Sequence, residues 1–147
     1  MERKRTAAEF NAASEGTLPE LVGMEILAVD GTRVTSRMPI RSEVMAPIGY
    51  LHAATVVALA DTTAGCGAWA NLPEEASGFT TLELKANFIG TARDGVVLCE
   101  ANLVHGGRST QVWDATVTAE ATGRPIALFR CTQMIFYPPE MPKRARS

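Results

Sequence analysis

The sequence of 147 residues predicts an α+β fold in which an antiparallel sheet packs around one long helix. Three observations lead to this fold class. A long and almost uncharged helical stretch occupies the middle of the chain, two short strand candidates precede it, and four strand-like segments follow it. We expect residues 1–147 to form one domain, with an N-terminal extension at 1–19 and a basic tail at 138–147, because no repeat or long linker divides the chain.

The elements before the long helix are short. We predict a helix at 6–14, strands at 25–29 and 32–39, and a loop at 41–49. Phe10 is the apolar contact of the first helix. The two strands meet at Asp30-Gly31, a pair that is common in tight hairpin turns. Pro47 favours the loop.

The long helix is predicted for residues 52–70, with Asn71 at its end. It belongs to a run of thirty residues, 44–73, that carries one formal charge, at Asp61. A membrane span needs about 20 consecutive apolar residues, whereas prolines, glycines and polar residues interrupt this run. A buried helix of a soluble domain is therefore the better interpretation.

After the long helix, the hydrophobic period changes to two. In residues 81–88, Leu, Ala and Phe alternate with Thr, Glu, Lys and Asn, which is typical of a strand. Three more strands are predicted at 95–104, 110–120 and 125–137, separated by turns that contain glycine. Because the turns are short and the strands long, we expect the four strands to form an antiparallel meander.

Composition argues against several kinds of protein. Hydrophobic residues make up 46% and charged residues 20% of the chain, so a disordered chain is excluded. The net charge is -2 and basic runs occur only at the two ends, which argues against a nucleic-acid-binding surface. Three widely spaced cysteines indicate reduced thiols in a cytoplasmic protein, and two histidines argue against a zinc site. The N-terminus shows no signal peptide.

Asp61 is the candidate functional acid. An isolated carboxylate in an apolar environment costs on the order of several kcal/mol, so it needs a partner, a proton or contact with water. No Lys or Arg lies within two helical turns of it. Two interpretations remain open at this point. Asp61 is either a structural acid bonded to the backbone or to Thr62 and Thr63, or a general base or nucleophile beside a substrate.

The start of the same helix is a second candidate feature, at Gly49-Tyr50-Leu51-His52-Ala53-Ala54. Free N–H groups of a first helical turn, aided by the helix dipole, stabilise negative charge that develops on a carbonyl oxygen. Asp61 follows Ala53 by eight residues, about 12 Å along the axis and roughly 80° around it. One helix is therefore not expected to form the site alone. A symmetric dimer would pair the helix start of one subunit with the acid of the other.

Four segments carry a resemblance to a known family: Gly49-Tyr50-Leu51-His52-Ala53-Ala54, Ala58-Leu59-Ala60-Asp61-Thr62, Leu84-Lys85-Ala86-Asn87-Phe88 and His105-Gly106-Gly107-Arg108-Ser109-Thr110. Together they resemble the hotdog-fold acyl-CoA thioesterases of the PaaI-like family (phenylacetic acid degradation, 4-hydroxybenzoyl-CoA thioesterase-like), over residues 20–137. The resemblance implies a hotdog fold, with a long central helix wrapped by a five- to six-stranded antiparallel sheet. It also implies active sites at a homodimer interface, with dimers often paired into homotetramers.

The resemblance assigns catalytic roles to four residues. It implies that Asp61 acts on the thioester as a nucleophile or through water, and that the backbone N–H of Ala53 polarises the thioester carbonyl. The hydroxyl that positions water in some relatives falls near Thr81, for which an ordinary strand position is the alternative. His52 is expected to orient the helix start or to line the pocket.

Coenzyme A is part of the implied substrate, not a cofactor, and its phosphates require positive charge or backbone donors along their path. In the family that the chain resembles, the turn before a strand contacts the nucleotide, and here that turn contains Arg108, Ser109 and Thr110. Arg93 and Phe88 are further candidates. A solvated surface charge is the alternative role for each arginine, and a core or interface position is the alternative for the phenylalanine.

Three alanines depart from the family pattern. The usual motif in the family is His-Gly-Gly, and Ala53 and Ala54 stand at the positions of its two glycines. The alanines keep the backbone N–H groups but add methyl groups near the substrate. Ala46 stands where many relatives carry Asn or Gln, and the lost donor is typically worth about a few kcal/mol in the transition state. Ile48 and Tyr50, in the loop before the helix, are expected to line the acyl pocket.

We predict a metal-independent cytoplasmic thioesterase that hydrolyses a medium-chain or aryl acyl-CoA to free acid and CoA. The alternative is a non-catalytic acyl-CoA-binding module, to which the three alanines point. A hotdog hydratase or dehydratase is less favoured. Such relatives usually pair an aspartate with a histidine farther along the same helix, and no histidine follows Asp61 on this helix. Trp113 is expected to pack against a neighbouring strand or subunit.

Overall fold

The computed structural model describes residues 5–139, so residues 1–4 and most of the predicted basic tail lie outside the described part. The elements in chain order are α1 (Ala7–Ala13), α2 (Leu18–Leu21), β1 (Glu25–Asp30), β2 (Arg33–Pro39), a 3₁₀ turn (Ser42–Val44), α3 (Ala53–Ala70), β3 (Gly78–Phe88), β4 (Val96–Gly106), β5 (Thr110–Ala119) and β6 (Pro125–Phe136). Every predicted helix and strand is present within a few residues. The sequence patterns did not predict α2 or the 3₁₀ turn.

The six strands form one antiparallel sheet in the order β1-β2-β4-β5-β6-β3. Helix α3 lies against the inner face of this sheet, in agreement with the predicted architecture. The apolar residues of α3 that face the sheet are fully or almost fully buried: Val56, Leu59, Ala60, Ala64, Cys66 and Ala68.

The predicted meander of four strands is correct for β4, β5 and β6 and wrong for β3. Strand β3 pairs with β6 at the far edge of the sheet, not with β4. The connection at 89–95 explains the difference, because it is bound to other elements along its length. Ile89 and Gly90 donate their N–H groups to the Ile126 carbonyl, and the Ala92 carbonyl accepts from Leu51 N–H at 2.8 Å. The chain thus runs past the start of α3 before it enters β4.

Strand β3 is the most exposed strand of the sheet. None of its residues is buried, and Leu82, Leu84 and Phe88 are 61%, 39% and 47% exposed. A half-buried stripe of α3 lies beside it, at Asp61, which is bonded to Thr81, and at Gly65, which faces the Phe79 ring. We call this stripe and β3 the β3–α3 face. The outer edge of β3 has backbone groups that another strand could pair with.

Trp113, which was expected to pack against a neighbouring strand or subunit, lies beside Leu103 of β4 and Cys131 of β6 and also packs into the core against α3. Its side chain is fully buried, and its Nε1 donates to Gln111 Oε1 at 2.9 Å. Gly67 of α3 lies under the indole, where an added Cβ would come within 2.4 Å of a ring carbon. Only a glycine lets the helix backbone approach the ring this closely.

Residues before β1 also contribute to the core. Helix α1 is capped by Thr6, which forms a reciprocal capping box with Glu9. Phe10 is buried, as predicted, and meets the Trp69 ring edge-on with 4.4 Å between ring centroids. Asn11 joins the helix to β1 through two hydrogen bonds of 2.9 Å with the backbone of Ile26.

In residues 5–139, no helix combines the length and apolar character that a membrane crossing requires.

Candidate active site

Asp61 lies half-buried in the middle of α3 and is bonded to a side chain from another element. The Thr81 hydroxyl, on β3, donates to Asp61 Oδ1 at 2.9 Å. Thr63, one of the local partners considered from the sequence, is engaged elsewhere, with the Leu59 carbonyl at 2.6 Å and with Ser36 Oγ at 2.6 Å. The structure thus brings together two of the predicted site residues, which are twenty positions apart in the sequence.

Two opposing effects act on the pKa of Asp61. Burial raises the pKa, because the charged carboxylate loses contact with water, and the Thr81 hydrogen bond lowers it by a smaller amount. None of the ion pairs found in residues 5–139 includes Asp61. A carboxylate with a raised pKa and one hydroxyl partner is suited to accept a proton or to attack an electrophile.

His52 is the N-cap of α3. Its Nδ1 accepts a hydrogen bond from the Ala54 N–H at 2.9 Å, and its carbonyl accepts from the N–H groups of Thr55 and Val56. In this geometry Nδ1 is the hydrogen-bond acceptor of the cap. The sequence-based expectation that His52 orients the helix start agrees with this capping geometry.

Ala53 holds the remaining N–H group of the first turn. Among residues 5–139, no group accepts a hydrogen bond from it, whereas the N–H groups of Ala54, Thr55 and Val56 all have acceptors. The positive end of the helix dipole lies at the same place. The Ala53 N–H is therefore free to donate to a carbonyl oxygen of a bound molecule.

A cavity of about 330 Å³ opens beside Ala53. Its walls come from the loop before α3, the first turn of α3 and the connection after β3: Ala46, Ile48, Tyr50, Leu51, His52, Ala53, Val56, Phe88, Gly90, Thr91, Ala92 and Ile126. The predicted pocket residues Ile48 and Tyr50 are among them. Asp61 and Thr81 are not, so a single chain keeps the acid and the N–H donor apart.

The candidate CoA contacts lie in two places. The Arg93 guanidinium lies over the Tyr50 ring, 4.5 Å from its centroid, beside the cavity that Phe88 also lines. Arg108, Ser109 and Thr110 lie at the other end of β4, a strand of eleven residues and so roughly 35 Å away. A single chain therefore does not bring Arg93 and Arg108 together.

Arg108 already has two partners within the chain. Its Nη1 lies 3.3 Å from Glu75 Oε2, and its guanidinium covers the Tyr137 ring at 4.7 Å. Both members of the ion pair are about three-quarters exposed, so the pair contributes little to stability and is open to competition from a phosphate.

Gln133 is the residue near Asp61 that sequence reasoning missed. It is fully buried on β6, and its Oε1 lies 3.2 Å from the Thr81 hydroxyl oxygen. A sequence signal existed, because the inward positions of this strand read Phe129, Cys131, Gln133 and Ile135, and a glutamine interrupts the apolar series.

Within residues 5–139, no three His, Cys, Asp or Glu side chains are grouped so that they could hold a metal ion.

Comparison with known proteins connects this geometry to a family. The family model described as the thioesterase superfamily matches residues 48–126, which include the helix start, Asp61 and Thr81. The 1,4-dihydroxy-2-naphthoyl-CoA hydrolase of Listeria monocytogenes is 34% identical over 115 residues, which cover 78% of this chain and 92% of that relative. The proofreading thioesterase EntH of Klebsiella pneumoniae is 30% identical over 118 residues, with 80% and 85% covered.

A solved structure confirms the architecture. A mutant of thioesterase PA1618 from Pseudomonas aeruginosa matches with a TM-score of 0.88 at 27% identity, over 93% of this chain and 98% of that one. The hotdog fold and the family resemblance predicted from the four sequence segments are thereby confirmed. The chain, with its long helix wrapped by a six-stranded sheet, belongs to the thioesterase superfamily, a family of thioester hydrolases.

Proposed function

We propose that this protein hydrolyses a medium-chain or aryl acyl-CoA to the free acid and CoA. The observation that carries the proposal is the pairing of half-buried Asp61 with the Thr81 hydroxyl in a chain of the thioesterase superfamily. The relative from Listeria monocytogenes is named as the hydrolase of an aryl-CoA, which supports an aryl acyl group. The mainly apolar walls of the cavity beside Ala53 suit either kind of acyl group.

The chemistry uses the two features of α3. The thioester carbonyl oxygen accepts a hydrogen bond from the Ala53 N–H, which stabilises the negative charge that develops there. Asp61 takes a proton from water as the water oxygen bonds to the carbonyl carbon. The tetrahedral intermediate then collapses, the carbon–sulfur bond breaks, and the CoA sulfur takes up the proton from Asp61, which regenerates the carboxylate. In the alternative route, Asp61 attacks the carbonyl carbon itself, the carbon–sulfur bond breaks, and CoA leaves as a thiolate that takes up a proton from solvent. Water then hydrolyses the mixed anhydride to the free acid and regenerates the Asp61 carboxylate.

This chemistry requires two subunits, and we propose a homodimer that shares its active sites. The β3–α3 face is the candidate interface, because it exposes Leu82 and Leu84 and contains Asp61. Antiparallel pairing of two β3 strands would place the Gly78 end of one beside the Phe88 end of the other. The cavity of one subunit would then lie close to Asp61 of its partner. We further propose that dimers pair into a homotetramer.

The same pairing gives the CoA contacts a common location. Arg108 and Tyr137 are at the end of the sheet where β3 begins, and Arg93 is at the end where β3 terminates. In the proposed dimer, Arg108 of one subunit and Arg93 of the other approach the same cavity. We propose that these arginines, with Ser109, Thr110 and Phe88, hold the CoA portion of the substrate.

We propose that the reaction uses no metal and no cofactor, since the chain itself supplies the proton acceptor and the carbonyl donor. A cytoplasmic location is part of the proposal. It is supported by the three cysteines, which are all buried as free thiols.

The test compares two acid-to-amide substitutions against a panel of medium-chain and aryl acyl-CoA thioesters. Asp61→Asn is expected to lower the rate of CoA release by at least about 100-fold, the usual contribution of a general base. Asp114→Asn is the matched control, because Asp114 is ion-paired with Arg130 on the outer face of the sheet. Unchanged rates in Asp61→Asn would refute the assignment. Rapid hydrolysis by the unmodified protein is the positive reference.

A non-catalytic acyl-CoA-binding module is the second candidate. Ala46 and Ala53 favour it, because both line the cavity where a donor side chain and a glycine are usual in the family that the chain resembles. Titration calorimetry with CoA and acyl-CoA decides between the two functions. Binding without turnover of any thioester in the panel would support the module.

A further inference from the structure

A polar row crosses the inner face of the sheet. Gln111, Gln133 and Thr81 are direct neighbours in the registers that join β5 to β6 and β6 to β3. Both glutamine side chains are buried. A buried amide without hydrogen-bond partners is costly, so the partners of each glutamine indicate its role.

Gln111 stabilises the core. Its Nε2 donates to the Asn71 carbonyl at 2.8 Å, and its Oε1 accepts from Trp113 Nε1 at 2.9 Å. A carbonyl only accepts and an indole N–H only donates, so these partners fix the amide in one orientation. Among the described residues, no hydrogen bond joins Gln111 to Thr81 or Asp61.

Gln133 is connected to the candidate acid through Thr81. Its Nε2 donates to Cys131 Sγ at 3.3 Å, which turns Oε1 toward the Thr81 hydroxyl at 3.2 Å. Asp61 Oδ1 lies 2.9 Å from the same hydroxyl oxygen. A hydroxyl has one proton to donate, so Gln133 and Asp61 compete for it. The shorter distance gives Asp61 the larger share.

We propose that Gln133 is a positioning residue whose carbonyl draws part of the Thr81 hydrogen bond away from Asp61 and thereby keeps the carboxylate more basic. Gln133 acts only through Thr81. The proposal rests on the role proposed above for Asp61 and adds to it a means of adjusting the strength of the base.

The neighbouring titratable groups do not obscure this effect. From β6, the Cys131 thiol has its pKa raised to about 11, chiefly by burial, so it is neutral at physiological pH. On α3 the nearest thiol is Cys66, whose pKa burial also raises. From β3, Glu83 is exposed and acts on Cys131. Asp61 itself responds to its own burial and to Thr81.

The test is Gln133→Met, which removes the amide but keeps a side chain of similar length. The Thr81 proton then goes to Asp61 alone, so the pKa of Asp61 falls. The acid limb of the kcat/KM profile moves to lower pH, and kcat on the plateau drops by about two- to tenfold because the base is weaker. Thr81→Val moves the limb in the opposite direction. In the double variant Thr81→Val with Gln133→Met, the acid limb lies at the same pH as in Thr81→Val alone, because Gln133 acts on Asp61 only through the Thr81 hydroxyl.

Gln111→Met is the matched control, because Gln111 is also a buried glutamine and lies on β5, next to Gln133 of β6. It lowers the urea midpoint of unfolding and leaves the acid limb in place. A Gln133→Met limb that stays in place or moves to higher pH overturns the proposal, as does a shift that adds to that of Thr81→Val. If Gln133→Met fails to fold, Gln133→Leu removes the same carbonyl.

A second measurement separates this proposal from the proposed function. Carbon-13 NMR titration of the Asp61 carboxyl group reports its pKa without any turnover. If Asp61→Asn keeps full activity, the proposed function fails, and the NMR titration of Gln133→Met still decides the role of Gln133. An unshifted or raised Asp61 pKa in that titration refutes it, and a lowered one supports it.

Discussion

Thr81 Oγ1 lies 2.9 Å from Asp61 Oδ1, and this hydrogen bond joins the acid of the central helix to the edge strand of the sheet. It links the two elements of the β3–α3 face. The hydroxyl also opposes the effect of burial on the pKa of the carboxylate.

Thr81→Val is expected to raise the pKa of Asp61 further, because the hydrogen bond that lowers it is lost while burial remains. A general base works only when it is unprotonated, so the acid limb of kcat/KM moves to higher pH. A pH–rate profile measures this. Thr80→Val is the matched control on the same strand, since Thr80 is exposed and its profile should equal that of the unmodified protein. A limb that moves to lower pH would contradict the prediction.

Ala53→Pro removes the proposed carbonyl donor with little change in structure. Proline has no N–H, and it is well tolerated as the first residue of a helix. His52 already has the extended conformation that a following proline requires, with ψ of 136°. We expect kcat to fall by roughly 100- to 1000-fold, with an unfolding midpoint close to that of the unmodified protein. Ala54→Pro removes the donor that His52 caps. Similar losses in both variants would argue against a special role of Ala53.

Mixing two inactive variants tests whether the active sites are shared. In a dimer of Ala53→Pro with Asp61→Asn, one site contains both defects and the other contains neither. Random mixing should therefore restore about one quarter of the specific activity, because half of the dimers are mixed and each has one intact site. The variants are co-expressed with different tags and the mixed dimer is purified, in which one intact site of two should give about half of the specific activity of the unmodified protein. An inactive mixed dimer would show that each site lies within one subunit.

Stability should depend on pH through Asp61. Burial raises its pKa in the folded protein above the unfolded value of about 3.9. Between these two values the folded protein binds more protons, so the free energy of unfolding falls as pH rises through this window. Asp61→Asn removes this effect and is expected to unfold at higher urea than the unmodified protein at pH 8, with a smaller advantage at pH 4.5. An advantage of the same size at both pH values would exclude titration of Asp61 as its cause.

Gly67→Ala is expected to destabilise the fold by about 1–3 kcal/mol or more, since the new methyl group would overlap the Trp113 ring. Gly65→Ala is the control on the same helix. There the nearest atom to an added Cβ is 3.6 Å away, on Phe79, so the helix propensity of alanine gives a gain of up to about 1 kcal/mol. Urea unfolding measures both. Equal effects at the two positions would mean that Trp113 moves aside.

Local sequence patterns predicted most of the helices and strands, because the formation of each helix or strand depends mainly on residues that are neighbours in the sequence. The apolar run ending at Asn71 and the period-two alternation of 81–88 need no knowledge of distant parts of the chain. The position of β3 was not predictable in this way, since its pairing with β6 depends on contacts across about fifty residues of sequence.

The candidate site shows the same difference between features that depend on neighbouring residues and features that depend on contacts between distant parts of the chain. Asp61 was found because a single charge in an apolar helix is a local anomaly. The family resemblance pointed to Thr81 as a hydroxyl that positions water, but its hydrogen bond to Asp61 was predicted neither from the resemblance nor from the pattern of the strand. Gln133 was missed because its meaning depends on the register of β6 against β3, where it faces Thr81. The separation of Ala53 from Asp61 followed from helix geometry alone.

The connection that leaves β3 also forms one wall of the cavity beside Ala53, through Phe88, Gly90, Thr91 and Ala92. In a single chain, the strand that leads into this wall is supported along one side only. Association along the open side of β3 would hold that wall in place. Subunit assembly and acyl-group selectivity would then be coupled, so that changes at the interface alter which thioesters are accepted as well as how fast they react.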